Sequence, residues 1–141
     1  MRVLLAGSLT LAALSLAACG GSSGGGSAAN DVNVQLGQGK EFSVVADPGT
    51  TKSGKITFTV KNDGKVHHEM VVVPISSGST VQSLAKADGA ANEDGSPGEV
   101  DGVDPGQSKS VTLDLKPGTY VLLCNEPGHF AGGMATTFTV S

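Results

Sequence analysis

Within residues 55–115, apolar side chains return at every second position: Ile56, Phe58 and Val60 against Thr57 and Thr59, then Val111, Leu113 and Leu115 against Thr112 and Asp114. A period of two puts each set on its own face of an extended chain, so these segments are half-buried strands rather than helices. The same reading extends to residues 32–36, 41–46, 55–61, 67–73, 108–115, 119–124 and 135–140, which are separated by Gly-rich turns. Many short strands with such punctuation specify an all-β sandwich with one core. The aromatic share is only 4%, which pleated surfaces tolerate because β-branched residues fill them well. Residues 80–87 are the best candidate for one short helix, with Val81, Leu84 and Ala85 at i, i+3 and i+4. Residues 88–106 carry six acidic side chains and no basic one. They lack the ordered oxygen spacing of a calcium loop, so they read as a solvated acidic loop.

Composition divides the chain into three parts. Met1-Arg2 precedes a largely apolar run over residues 3–18, and Leu16-Ala17-Ala18-Cys19 resembles the lipobox of bacterial lipoproteins. Residues 1–18 are therefore expected to be a lipoprotein-type signal peptide. Their apolar run falls short of the roughly 20 residues that span a bilayer, which disfavours an uncleaved anchor. The expected product is exported and lipid-anchored through Cys19 to the cell membrane, facing the extracytoplasmic side. Residues 19–30 form a Gly/Ser-rich linker without enough apolar side chains to fold. Residues 31–141 are long enough for one domain.

Beyond residue 18 eight Lys stand against thirteen Asp and Glu, a formal charge of −5. Nucleic acid is an unsuitable partner for such a surface, whereas a basic protein would be steered towards it. The chain has two cysteines, so a lipidated Cys19 leaves Cys124 with no disulfide partner. A lone thiol in an oxidising compartment is accounted for by metal ligation, which holds the thiolate occupied.

Cys124 lies at the end of an expected strand, in the run Cys124-Asn125-Glu126-Pro127-Gly128-His129-Phe130-Ala131-Gly132-Gly133-Met134. Pro127-Gly128 forces a tight turn that returns His129 towards the sulfur, and Gly132-Gly133 lets the backbone close before Met134. A thiolate, an imidazole and a thioether so close together suit copper cycling between two oxidation states. The trigonal arrangement with a long axial Met needs a second imidazole. Beyond His129 the chain offers His67 and His68. Adjacent strand residues face opposite ways, and His68 shares its phase with Met70 and Val72, whereas His67 shares that of Glu69. This favours His68, although Val71 and Val73 lie in the His67 phase.

These features resemble the small cupredoxins, single-domain type 1 (blue) copper proteins. The Cys-x4-His-x4-Met spacing is nearest to that of the auracyanin- and rusticyanin-like members. The resemblance extends over residues 31–141 and includes two further runs, Asn62-Asp63-Gly64-Lys65-Val66-His67-His68-Glu69-Met70 and Pro117-Gly118-Thr119-Tyr120-Val121-Leu122-Leu123-Cys124. It implies a cupredoxin-like Greek-key β-sandwich holding one type 1 copper per chain on His68, Cys124, His129 and Met134. It also implies a non-enzymatic role limited to carrying single electrons between a donor and an acceptor such as a cytochrome, oxidase or reductase. By the same resemblance the His129 ring edge is the electron route, with Pro127, Phe130 and Ala131 as an apolar docking patch. The family usually has Asn after the first His, tying the two ligand loops together; here that position is Glu69.

Two other functions use the same residues. Multicopper enzymes need more imidazoles than the three in this chain. Copper storage or delivery is the alternative reading, but it calls for Met- or Cys-rich ligands, and beyond Met1 only Met70 and Met134 are present. Zinc accepts similar donors but gains little from an axial Met. A monomer is expected for a small tethered carrier.

Overall fold

The computed structural model describes residues 30–141; the expected signal peptide, Cys19 and the linker through residue 29 lie outside the described residues. Among the described residues nine strands follow one another: β1 (Asn30–Leu36), β2 (Val44–Asp47), β3 (Thr50–Thr51), β4 (Gly54–Asn62), β5 (His68–Ile75), β6 (Gly98–Val103), β7 (Ser108–Leu115), β8 (Gly118–Leu123) and β9 (Ala135–Val140). They form one sheet in the order β2-β1-β4-β7 and another in the order β3-β9-β8-β5-β6. The β1/β4 and β3/β9 pairs are parallel and the other pairs antiparallel. This is the all-β sandwich that the alternating pattern predicts.

The core lies between the sheets. From the first sheet come Val32, Val34, Leu36, Ile56, Phe58 and Val60; Met70, Val72, Leu122 and Phe138 face them from the second. Phe58 meets Phe138 edge to face with centroids 5.4 Å apart, a geometry that adds to area burial alone. The Tyr120 hydroxyl donates to the Lys116 carbonyl at 2.9 Å, closing the Pro117–Gly118 turn that starts β8.

A smaller cluster covers the outer face of the second sheet, where Val71, Val73, Val121 and Leu123 pack beneath Leu84, Ala91 and Phe130. Both faces of β5 are therefore buried, which explains its nearly continuous apolar run and why Val71 and Val73 obscured its phase. The expected helix over residues 80–87 is a four-residue 3₁₀ turn, Val81–Leu84, serving as part of this lid.

Two expectations are corrected. Residues 88–106 are not a loop throughout, because β6 runs through them and pairs with β5, burying Val100 and Val103. The register shifts between His68 and Met70, a bulge that Gly102 permits with φ +64. Acidic residues and glycines at the exposed positions masked this strand. The strand expected over residues 41–46 begins only at Val44, and Glu41 instead turns towards the loop before β5.

Candidate metal centre

Three chain segments meet at one end of the sandwich. His68 opens β5, Cys124 follows the last residue of β8, and His129 and Met134 come from the loop joining β8 to β9. That loop is held by its own backbone: the His129 N–H donates to the Glu126 carbonyl at 2.9 Å, Gly132 to Gly128 at 2.9 Å and Met134 to His129 at 3.0 Å. Gly128 and Gly133 take φ +84 and +90, conformations that cost other residues strain. The Cys124 N–H donates to the Met134 carbonyl at 3.1 Å, so both ends of the loop arrive together.

Among the described residues, the side chains with metal-capable donors that cluster are His68, Cys124 and His129. Their facing atoms form a triangle: His68 Nδ1 to His129 Nδ1 is 3.2 Å, Cys124 Sγ to His129 Nδ1 3.2 Å, and Cys124 Sγ to His68 Nδ1 3.9 Å. Sides of 3.2 to 3.9 Å put the centre about 2.0 Å from each corner, close to a metal–imidazole bond length. Two imidazole nitrogens and a sulfur converging on one point are a soft, mixed donor set that fits copper. His68, Cys124 and Met134 are fully buried and His129 half-buried. His67 is elsewhere: 46% of its side chain is exposed, and Nδ1 lies 2.8 Å from Asp104 Oδ1.

Burial pushes the Cys124 thiol up to about 11. A cation at the centre would reverse this by replacing the proton. Burial, then the neighbouring His68, lowers the His129 pKa. The Asp104 hydrogen bond raises that of His67.

The surrounding contacts include residues that strand and spacing patterns do not single out. Glu41 Oε1 accepts from the Lys65 N–H at 2.8 Å and the Val66 N–H at 3.2 Å, and it lies 3.0 Å from His68 Nε2. The Lys65 hydrogen bond leads in lowering the Glu41 pKa. Asn62, fully buried, donates to the Val66 and Val103 carbonyls at 2.8 Å each and accepts from the Gly64 N–H at 2.8 Å. These contacts span up to 41 residues, a separation that no local pattern records.

Glu69 is half-buried, and its carboxylate accepts the Asn125 N–H at 2.9 Å. It therefore ties the β5 segment to the Cys124 loop, the kind of link that Asn would otherwise provide. Burial raises its pKa, with Glu126, Glu93 and Glu99 adding to the shift. Its own N–H points at Cys124 Sγ, 3.5 Å away.

The anticipated apolar patch is rearranged. Pro127 and Ala131 are exposed, but Phe130 is 9% exposed and packs inward with Val71 and Leu84. Its place at the surface is taken by Phe42, 41% exposed, whose ring lies 4.8 Å from that of His129.

A β-sandwich with a two-histidine, one-cysteine cluster at one end, His68 and Cys124 buried and His129 half-buried, and with Met134 in the same loop as His129, defines the class of type 1 copper proteins. The chain belongs to the plastocyanin/azurin family of copper-binding proteins, whose model matches residues 30–141. Among solved structures it is similar to reduced auracyanin from the photosynthetic bacterium Roseiflexus castenholzii, with 26% identity and a TM-score of 0.54 over 83% of this chain and 99% of that one. Auracyanin A of Chloroflexus aurantiacus shows 20% identity and a TM-score of 0.59, covering 79% and 98%. Rusticyanin of Thiobacillus ferrooxidans shows 19% identity and a TM-score of 0.59, covering 79% and 76%. The last two likenesses are of fold alone. No curated protein matches the sequence.

Proposed function

We propose that the protein is a one-electron carrier between redox proteins, with one type 1 copper ligated by His68, Cys124 and His129 and a long contact to Met134. The observation that carries this reading is the triangle of donor atoms, 3.2 to 3.9 Å on a side, at one end of a closed sandwich. Copper bound there supplies a one-electron couple. The chain's part is to hold its donors still: the loop's backbone bonds and the Glu69 link oppose movement when the charge changes. His129 is the ligand side chain reaching the surface, and Phe42, Pro127 and Ala131 around it form a contact patch for a cytochrome, oxidase or reductase.

The role is that of a carrier rather than an enzyme, since three histidines do not build a second copper centre. The lipobox-like run supports export and anchoring through Cys19 at the outer face of the cytoplasmic membrane. Metal-free protein titrated with Cu(II) is expected to show an intense thiolate-to-copper band that saturates at one equivalent and bleaches reversibly with ascorbate. A weak, ordinary Cu(II) spectrum would overturn the carrier reading and leave storage or delivery. Cys19→Ser should move the protein from the membrane to the soluble fraction; unchanged partitioning would rule out the lipid anchor.

A further inference from the structure

We infer that Glu41 is a positioning residue for His68: its carboxylate selects the ring tautomer and, by its charge, sets the balance between the two copper oxidation states. The inference rests on the copper reading above for its second half, while its first half is a property of the chain alone.

The geometry begins with the loop between β4 and β5. Asn62 pins this loop by bonds to Gly64, Val66 and Val103. The pinned loop turns the Lys65 and Val66 N–H groups towards one point, where Glu41 arrives from the β1–β2 connection. The seat is built closely. A Cβ on Gly64 would press on Glu41 Oε1 and lie 3.0 Å from His68 Nε2, so this glycine leaves the space in which carboxylate and imidazole meet.

An ionised carboxylate has no proton to give, so the 3.0 Å contact requires His68 Nε2 to be the donor. In the neutral ring the single proton is then on Nε2 and absent from Nδ1, the atom that faces Cys124 and His129. A histidine whose second ring nitrogen donates to a carboxylate is fixed in orientation and is a stronger electron donor, and loss of such a partner typically lowers metal affinity 10- to 100-fold. A negative charge one ring away from the cluster also favours the more highly charged metal ion.

Two variants separate these effects. Glu41→Gln keeps an oxygen for the His68 Nε2–H but removes the charge; Glu41→Ala removes both. Nitrogen-15 NMR of the metal-free protein should show His68 as the Nε2–H tautomer in the wild type and Glu41→Gln, and a tautomer mixture in Glu41→Ala. With copper bound, Glu41→Gln should shift the relative affinity for Cu(II) over Cu(I) down about tenfold, raising the potential by about 59 mV for one electron. A merely structural role would leave the tautomer and the Glu41→Gln potential unmoved, and that result would overturn the inference. The tautomer is read without metal, so it tests Glu41 even if copper gives no type 1 spectrum. Conversely, a type 1 spectrum with tautomer and potential unmoved would reject this role for Glu41 and leave the carrier reading intact.

Discussion

Cys124 illustrates how one residue changes character with its ligand. In the metal-free fold, burial raises its thiol from 9.0 to about 11. The folded state therefore keeps a proton that the unfolded chain loses first. Stability from this group is fully present below pH 9 and declines as pH rises through about 11. Denaturation of the metal-free protein should show that loss between pH 9 and 11, and Cys124→Ala should abolish it. At the neighbouring histidines the roles divide. His67→Ala should leave the visible copper band in place, because the ring bonds to Asp104 away from the cluster, whereas His68→Ala should remove it. The reverse pattern in the two spectra would contradict the assignment of His68.

At the scale of elements, the β8–β9 loop was legible because its donors, turn residues and flanking strands lie within one short stretch. The alternation of β4 and β7 was legible for the same reason. The phase of β5 was harder to read, since a strand covered on both faces loses its polar side. β6 was hidden by glycines and acids at the positions it leaves exposed. Glu41 looked like a strand residue because its partners, Lys65 and His68, lie in another part of the chain. Asn62 is the element-scale counterpart of these distant contacts, since one side chain joins the β4–β5 loop to the end of β6. Asn62→Ala would leave the buried Val103 carbonyl and the partly buried Val66 carbonyl without this donor and should cost on the order of 2–3 kcal/mol in chemical denaturation. It should also broaden the copper spectrum by loosening the seat of Glu41 and His68. An unchanged unfolding midpoint would show that water replaces these bonds.

Across the whole molecule, the two sheets meet over a continuous core, and acidic side chains outnumber basic ones beyond residue 18 by five. Electron exchange with a basic redox protein should therefore slow as salt is raised, the more steeply the more charges take part. A rate independent of ionic strength would mean that the apolar surface around His129 alone governs encounter. Finally, β1 runs from Asn30 towards the metal cluster, and its seven residues extend about 20 Å. Asn30 Nδ2 bonds to the Lys52 carbonyl, and Ser53 N–H bonds to the Ser141 carbonyl, so both ends of the described chain gather at the far pole. A handle fixed at either end, whether a fused domain or a solid support, thus leaves the opposite face open for a partner to land on.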